Sequence, residues 1–166
     1  MAEVLKSSET MLKVKSELHE VLGKGKILEL HPPLPFLLPR QIDEEIELNG
    51  YTIPKKSQVI VNAWAIGRDP NSWENPLSFY PERFLDSVID VKGQDFELIP
   101  FGAGRRICPG LPLVMRIVPV MLGSLINCFD WELDGATPRN ELNMEEKFGL
   151  TLGKLSPLRA LATSDI

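Results

Sequence analysis

One short segment of the chain carries residue types that suit the binding of a metal or an anion. Residues 100 to 110 read PFGAGRRICPG, so that Cys108 follows two adjacent arginines in a loop with three glycines. A cysteine thiolate is a metal ligand, and guanidinium groups bind carboxylates or phosphates through paired hydrogen bonds. Three interpretations of Cys108 are therefore open: a small core residue, part of an anion-binding loop, or a metal ligand.

The first two interpretations have general precedents. Free cysteine is often a small buried residue, and Cys128 fits that description because it lies on the apolar face of a helix pattern beside Ile126. An anion-binding loop would follow the dinucleotide fingerprint, with Gly102 and Gly104 as its first two glycines. The third glycine position is Ile107, however, and no βαβ unit surrounds the loop. A nucleotide-binding role is therefore only weakly indicated.

The loop also meets the requirements of an iron-bound thiolate. Such a ligand needs backbone N–H groups directed at the sulfur, because these hydrogen bonds tune the iron. It needs little side-chain bulk where a flat macrocycle lies, and Gly104 and Gly110 have no side chain. The carboxylates of a macrocycle need a cation, which a guanidinium group provides. The composition of the loop favours a thiolate site and leaves the alternatives open.

The spacing of five loop residues resembles the signature of a known family. Phe101, Gly104, Arg106, Cys108 and Gly110 fit F-x-x-G-x-R-x-C-x-G, the ligand-loop motif of the cytochrome P-450 haem-thiolate monooxygenases. The segments HPPLPFLLPR, NAWAIGRDP and PERF resemble other segments of that family in the same order. The segments FELIPFGAGRRICPGLPL and NMEEKFGLTL are most similar to plant members of the geraniol 8-hydroxylase-like group.

The resemblance implies a haem b cofactor with Cys108 as its axial thiolate ligand. It implies that Arg106 pairs with one haem propionate and that Arg40, at the end of the proline-rich segment, pairs with the other. The cofactor-binding residues that it implies are Phe101, Gly104, Arg106, Gly110 and Arg40.

Two apolar strips are implied to line a substrate pocket. One lies in the proline-rich segment 31 to 40, and the other lies near the C-terminus. Their apolar character suits a hydrophobic substrate, and the similarity to the geraniol 8-hydroxylase-like group implies one of the monoterpenoid class. The alternative for both strips is ordinary core packing. The candidate pocket residues are Leu34, Phe36, Leu37, Leu38, Phe148 and Leu150.

The resemblance further implies a reaction and its partners. Members of the family insert one oxygen atom from dioxygen into an apolar substrate, with electrons that NADPH supplies through a reductase, and plant members act at the endoplasmic reticulum membrane. The chain corresponds to the last third of a family member. The membrane anchor and the oxygen-activating acid and alcohol pair are therefore expected upstream, and no catalytic residue is assigned within the chain. The alternative is a truncated, non-catalytic fragment that binds haem weakly or not at all.

The composition argues against several other classes of function. The 166 residues include 18 Lys and Arg against 23 Asp and Glu, a net charge of −5, so no basic face for nucleic acid is expected. Two cysteines do not make a disulfide framework. The most apolar stretch, Leu111 to Cys128, has the length of a membrane span, but Pro112, Arg116 and Pro119 interrupt it. We therefore expect a buried helix there and no membrane-spanning segment in this chain.

The predicted fold class is mainly α with a small β region (α+β), as one partial cytochrome P-450 domain. Asn49-Gly50 within IELNGYTI predicts a β-hairpin, and SQVIVNAWAI predicts a further strand. Near the C-terminus, LNMEEKFG indicates a helix and LTL a strand. The predicted parts are a helix at 1–26, the proline-rich strip and hairpin at 31–66, a loop and PERF region at 67–99, the ligand loop at 100–110, a long helix at 111–129, and a helix, hairpin and tail at 130–166.

One element of the family is missing from the sequence. Family members have a helix with Glu-x-x-Arg just before the HPP segment, and this pair forms a network with the arginine of the PERF-like segment, here Arg83. In this chain GKGKILELHPP runs directly into HPP without that motif, so a helix and its connection, roughly twenty residues, are expected to be deleted. We expect Arg83 to become exposed, because a buried charge without a partner is costly. The two long apolar helices also lose partners, which predicts exposed apolar surface.

Overall fold

The chain begins with a short helix that packs against the rest of the fold. The computed structural model describes residues 1–6, 30–84, 87–134, 138 and 141–164. Helix α1 spans Ala2–Lys6, and the side chains of Val4 and Leu5 are buried. The start of the predicted first helix is therefore helical, while the rest of that prediction, residues 7–26, lies outside the described residues.

The proline-rich segment 31 to 40 has no regular secondary structure before its last residue, as its four prolines require. It is not extended throughout. The N–H of Leu37 donates to the carbonyl oxygen of Leu34 at 3.2 Å, and the φ of Leu37 is 50°. A turn therefore divides the segment. The N–H of Trp64 anchors this turn by donating to the carbonyl oxygen of Pro35 at 3.0 Å.

The predicted hairpin is present. Strands β2 (Ile46–Leu48) and β3 (Tyr51–Ile53) pair antiparallel, and Asn49 and Gly50 connect them. Both connecting residues have positive φ, 50° and 79°, as a type I′ turn requires. Asparagine and glycine tolerate that conformation best, so the local sequence alone specifies the register of this pair.

The predicted strand SQVIVNAWAI is wrong over most of its length. Only Gln58–Val59 is a strand, β4, and it pairs antiparallel with β1 (Arg40–Gln41). The chain then turns into helix α2 (Ala63–Ile66), where the side chain of Asn62 accepts a hydrogen bond from the N–H of Ala65 at 3.0 Å. This N-cap stabilises a helical turn where the alternating pattern indicated a strand. The partner strand β1 is also short because a proline precedes it.

The main hydrophobic core lies between the PERF segment and the ligand loop. Pro81–Phe84 forms a 3-10 helix that directs the Phe84 ring into this core, where the ring is 1% exposed. The rings of Trp73 and Phe84 pack with 5.5 Å between their centroids. The buried members of the core are Trp73, Phe84, Val91, Leu98 and Leu111.

Arg83 is partly buried, which contradicts the expectation that it would become exposed. Its guanidinium group donates hydrogen bonds to the backbone carbonyl oxygens of Tyr80, Ser78 and Asn75, at 3.0 to 3.1 Å. Carbonyl oxygens of the preceding loop thus accept hydrogen bonds from the Nε and Nη2 atoms of Arg83. The prediction was wrong because it considered only carboxylate partners, whereas backbone acceptors also offset the cost of burying a guanidinium group.

The long helix α3 spans Leu111–Cys128 and begins directly after the ligand loop. The expectation that it would be buried is wrong for this chain: its buried residues are Leu111, Gly123 and Ile126 alone. Cys128, predicted as a buried core residue, is exposed. Its neighbour Ile126 occupies the buried side of the last turn. The exposed large apolar residues of α3 are Leu113, Ile117, Val118, Val120 and Met121.

Helix α3 also has the length and composition of a membrane span. Its mean hydropathy is 1.7, 11% of its length is buried, and it is the one such helix among the described residues. Length and hydropathy are weak criteria by themselves, because a core helix of a larger soluble protein satisfies them equally. The extent of its exposed apolar surface is the firmer observation.

We expect this apolar surface to drive self-association of the chain. The double variant Val120→Lys/Met121→Lys, at positions 68% and 58% exposed, should lower the fraction of oligomers in sedimentation velocity runs. Val88→Lys is the matched control, because Val88 is 94% exposed and lies outside the helix. An equal effect of the control would show that added charge, and not the α3 surface, governs association.

The C-terminal part forms two separate strand pairs. Strand β5 (Asp130–Leu133) pairs antiparallel with β8 (Ala160–Thr163), and β6 (Glu146–Lys147) pairs with β7 (Gly153–Lys154). The predicted helix at LNMEEKFG is therefore wrong, and the predicted strand LTL ends just before β7. In place of a helix, the side chain of Asn143 accepts a hydrogen bond from the N–H of Glu145 at 2.7 Å, which favours a turn over helix.

Candidate functional site

The ligand loop is a chain of tight turns. The N–H of Gly102 donates to the carbonyl oxygen of Ile99 at 2.9 Å, and Gly104–Arg106 then forms a 3-10 turn. Gly102 and Gly104 have φ values of 72° and 67°. This is the left-handed region that glycine adopts without strain, so two of the loop glycines are explained by backbone conformation.

Hydrogen bonds on both sides hold the backbone of Cys108. Its N–H donates to the carbonyl oxygen of Phe101 at 3.0 Å, and its own carbonyl oxygen accepts from the N–H of Leu111 at 3.2 Å. Phe101 packs against the hydrophobic core, which Leu111 completes at the start of α3. The Cys108 side chain itself is partly exposed. The loop therefore holds Cys108, a half-buried residue, on a backbone fixed to the core.

The glycines of the signature differ in their surroundings. A Cβ atom added at Gly104 would meet no atom within 4 Å, so the space beside this residue is open. A Cβ atom at Gly110 would lie 3.6 Å from the Cys108 sulfur, an ordinary contact. Gly93, which the sequence did not single out, is tighter: a Cβ atom there would lie 2.9 Å from the carbonyl oxygen of Gly102. The lack of a side chain at Gly93 therefore lets this residue pack closely against the backbone of the ligand loop.

Two of the predicted arginines lie at the loop. The Nη2 atom of Arg40 donates to the carbonyl oxygen of Ala103 at 3.3 Å, and this atom lies beside Gly102 together with the side chain of Leu37. Arg106 is exposed on the 3-10 turn, and its guanidinium group makes no hydrogen bond to a described residue. The structure thus brings Arg40 and Leu37, from the proline-rich segment, to the loop that carries Cys108.

The two predicted pocket strips lie next to each other. The N–H of Leu152 donates to the carbonyl oxygen of Pro33 at 2.9 Å, and the Phe148 ring packs edge-on against Trp64 with 5.8 Å between centroids. Core packing does not describe them well, because most of their side chains are exposed and the others partly buried. The exposed members are Phe36, Leu38, Phe148 and Leu150, and the partly buried ones are Leu34 and Leu37.

A polar cluster that the sequence did not suggest lies at the base of both strips. The Glu146 carboxylate accepts hydrogen bonds from the Trp64 Nε1–H at 2.8 Å and from Arg68 Nη2 at 3.0 Å. Its Oε1 atom also lies 2.7 Å from His31 Nδ1, and His31 Nε2 lies 3.0 Å from Glu3 Oε1. The partners are up to 115 residues apart in sequence, so no local spacing could have indicated the cluster.

The cluster changes the ionisation of its members. Burial disfavours the charged form of His31, but the hydrogen bonds that the ring donates to Glu3 and Glu146 outweigh this effect and raise its pKa. Burial likewise opposes the charge of Glu146, yet the Trp64 and His31 hydrogen bonds and the Arg68 charge lower its pKa. Both shifts favour the ionised pair.

Two cavities adjoin this cluster. One has a volume of about 750 Å³ and is lined in part by His31, Trp64, Arg68 and Phe79. The other, of about 200 Å³, lies between α1 and the β6–β7 hairpin. Cys108 lines neither cavity. The described residues contain no group of three or more His, Cys, Asp or Glu side chains that would form a multidentate metal site.

The sequence model of the cytochrome P450 family matches residues 2–157, which is nearly the whole chain. The chain belongs to the cytochrome P450 family. The match includes the PERF segment, the Cys108 loop and α3, so the residues described above occupy a recognised part of the P450 sequence.

Plant P450 enzymes are among its relatives, which confirms the predicted resemblance. A geraniol 8-hydroxylase from Swertia mussotii is 55% identical over 182 residues, which cover 98% of this chain and 37% of that protein. A drimenol monooxygenase from Persicaria hydropiper is 50% identical over 185 residues, which cover 100% of this chain and 37% of that protein. The chain therefore spans little more than a third of the length of these curated relatives.

Solved P450 structures confirm the predicted partial fold. A zebra fish cytochrome P450 with abiraterone superimposes with a TM-score of 0.82 at 25% identity, over 99% of this chain and 43% of that chain. The same kind of protein with progesterone gives a TM-score of 0.78 over 98% of this chain and 40% of that chain. Helix α3 is thus part of the shared P450 fold.

The relatives also bear on the predicted deletion. The alignment with the drimenol monooxygenase extends over 185 residues and this chain has 166, so 19 positions of that relative have no counterpart here. This number agrees with the length expected for the missing Glu-x-x-Arg helix. The place of the deletion, just before HPP, stays a prediction.

Proposed function

We propose that this chain is the haem-ligand region of a plant cytochrome P450 monooxygenase, with Cys108 as the axial thiolate ligand. The observation that carries the proposal is the position of Cys108. Its backbone is fixed to Phe101 and to the start of α3, while its side chain remains partly exposed. A backbone held on both sides and a residue that is not fully buried suit an axial ligand.

The residues around Cys108 fit a haem group. The open space at Gly104 would admit a flat macrocycle close to the backbone. Arg106 is exposed, and Arg40 contacts the same loop through its hydrogen bond to the carbonyl oxygen of Ala103. Both guanidinium groups are therefore available to pair with propionates. When bound, haem supplies the activation of dioxygen that oxygen insertion requires. The residues of this chain would hold the cofactor and set its orientation.

The proposed substrate is a small apolar molecule of the monoterpenoid class. Relatives of about half identity are named geraniol 8-hydroxylase and drimenol monooxygenase, after terpenoid alcohols. The exposed apolar residues of the two strips suit such a ligand. NADPH would supply electrons through a reductase, and the complete protein would act at the endoplasmic reticulum membrane. These statements concern the full-length enzyme.

A second candidate is a fragment that binds haem weakly and does not turn over substrate. The exposed apolar side of α3 favours this candidate, because in the isolated chain nothing described covers that side. Haem bound at Cys108 would be held from one face and would remain open to water. Spectral binding of haem without product formation from geraniol, in the presence of NADPH and a reductase, would support the fragment over the enzyme.

A spectroscopic titration tests the proposed function. The purified chain is mixed with hemin, freed of excess hemin, reduced with dithionite and exposed to carbon monoxide. The proposal predicts a red-shifted Soret band of the thiolate type. Failure to retain any haem would overturn it, and tight NADPH binding without haem would favour a nucleotide-binding loop instead.

A further inference from the structure

We propose that Glu146 is a positioning residue that fixes the two apolar strips, residues 34–38 and 148–150, relative to each other through a contact that requires His31 to be protonated. The strips are the pocket walls of the proposed function, and the relevance of this contact to substrate rests on that proposal. The contact itself does not involve Cys108 or haem.

The Glu146 carboxylate lies between the bases of the two strips. Glu146 lies two residues before Phe148, at the start of one strip, and its Oε1 atom lies 2.7 Å from His31 Nδ1, three residues before the other strip. Its second oxygen accepts from Trp64 Nε1 at 2.8 Å. The Glu146 side chain is 15% exposed, so water competes little for these bonds. One carboxylate therefore joins the base of both strips.

Other contacts connect the residues around Glu146 to both strips. The backbone of Trp64 is bonded to Pro35 within the first strip, and the Trp64 ring packs on Phe148 within the second. The N–H of Leu152 donates to the carbonyl oxygen of Pro33 at 2.9 Å. Displacing Glu146 would release the Trp64 indole and with it the contact between the two strips.

The protonation state of the His31 ring decides whether both of its contacts are favourable. Both ring nitrogens of His31 face carboxylates, Glu146 at 2.7 Å and Glu3 at 3.0 Å. Ionised carboxylates only accept hydrogen bonds, so both contacts are favourable only when both ring nitrogens carry a proton. A neutral ring would direct one lone pair at a carboxylate. The contact between His31 and Glu146 is therefore strongest when the imidazole is positively charged.

Other charged groups around the cluster modify this balance without replacing it. Arg68, 10% exposed, pairs at 3.0 Å with the same Oε1 atom of Glu146 that contacts His31. The cavities beside the cluster bring Lys6 and Glu145 near it from one side and Lys154 from the other. The amino group of Met1 also lines the smaller cavity, and burial lowers its pKa while the Glu3 charge opposes that shift.

The sign of the pH dependence follows from the two shifts. The pKa of His31 is raised above its ordinary 6.5, so its contribution is complete below about pH 6.5 and is lost as pH rises through the folded-state pKa. The pKa of Glu146 is lowered below 4.5, so its contribution is complete above about pH 4.5 and is lost as pH falls further. The strips should be held together best between these limits.

Hydrogen exchange measured between pH 5 and pH 8 tests the proposal. In the unmodified chain, the protection factors of the Leu152 and Trp64 amides should fall about tenfold as the pH rises through the folded-state pKa of His31. The protection factors of amides inside α3 serve as the reference. In Glu146→Gln and in His31→Gln these two amides should be less protected at pH 5 than in the unmodified chain. Their protection factors should then show no fall between pH 5 and pH 8. Glu145→Gln is the matched control, since Glu145 is the exposed neighbour and bonds only locally to Asn143 through its side chain.

The outcomes separate positioning from general stability. Loss of protection at the two amides with α3 unchanged supports the proposal. A step of equal size in α3, no step in the unmodified chain, or a step that survives in His31→Gln overturns it. None of these measurements uses haem, so failure of the hemin titration would refute the proposed function and leave this test intact.

Discussion

Cys108→Ser is expected to abolish the red-shifted Soret band of the reduced, carbon monoxide-bound chain, whereas Cys128→Ser should leave that band unchanged. A serine hydroxyl is neutral near pH 7 and cannot replace the negative charge of a thiolate on iron. The substitution alters one atom, and the loop backbone is held by hydrogen bonds that do not use the side chain. The loop should therefore keep its fold in the variant.

The two cysteines of the chain make this a controlled comparison. Both are free in the structure, Cys108 partly exposed on the ligand loop and Cys128 exposed at the end of α3. Adventitious binding of hemin to an accessible thiol would favour Cys128, because it is the more exposed. A thiolate band that survives in Cys108→Ser and disappears in Cys128→Ser would therefore refute the assignment of the ligand.

Predictions from the sequence are correct where one short segment determines its own structure. Asn49-Gly50 favours a type I′ turn whatever surrounds it, and the hairpin is present with both residues at positive φ. The five-residue signature around Cys108 identified the family, which the match over residues 2–157 confirms. The roles assigned to Arg40 and Arg106 at the cofactor remain predictions, although the structure places Arg40 at the loop.

The errors arose where a side-chain cap or a contact with distant residues decides the structure. An alternating pattern indicated a long strand, but the cap from Asn62 and a short partner strand turned its second half into α2. Glu146 was assigned to a helix, whereas it begins a strand and bonds to His31, 115 residues away. The apolar composition of α3 predicted a buried helix, whereas the expected loss of its partners predicted exposed apolar surface, and the structure agrees with the second prediction.

Gly93→Ala is expected to destabilise the fold more than any glycine substitution in a turn of similar conformation. The φ of Gly93 is 78°, and an added Cβ atom would lie 2.9 Å from the carbonyl oxygen of Gly102 and 3.0 Å from the Cα of Ala103. Both atoms belong to the backbone of the ligand loop and cannot rotate away. The left-handed conformation costs about 1–2 kcal/mol for alanine, and overpacking adds about 1–3 kcal/mol.

Gly50→Ala separates these two contributions. The φ of Gly50 is 79°, almost equal to that of Gly93, but a Cβ atom there would meet nothing within 4 Å. Urea denaturation should therefore show a loss of about 1–2 kcal/mol for Gly50→Ala and about 2–5 kcal/mol for Gly93→Ala. Haem retention should fall in Gly93→Ala alone, because only that change displaces the backbone that leads to Cys108. Equal losses in both variants would mean that the conformation of Gly93 matters and its contact with the ligand loop does not.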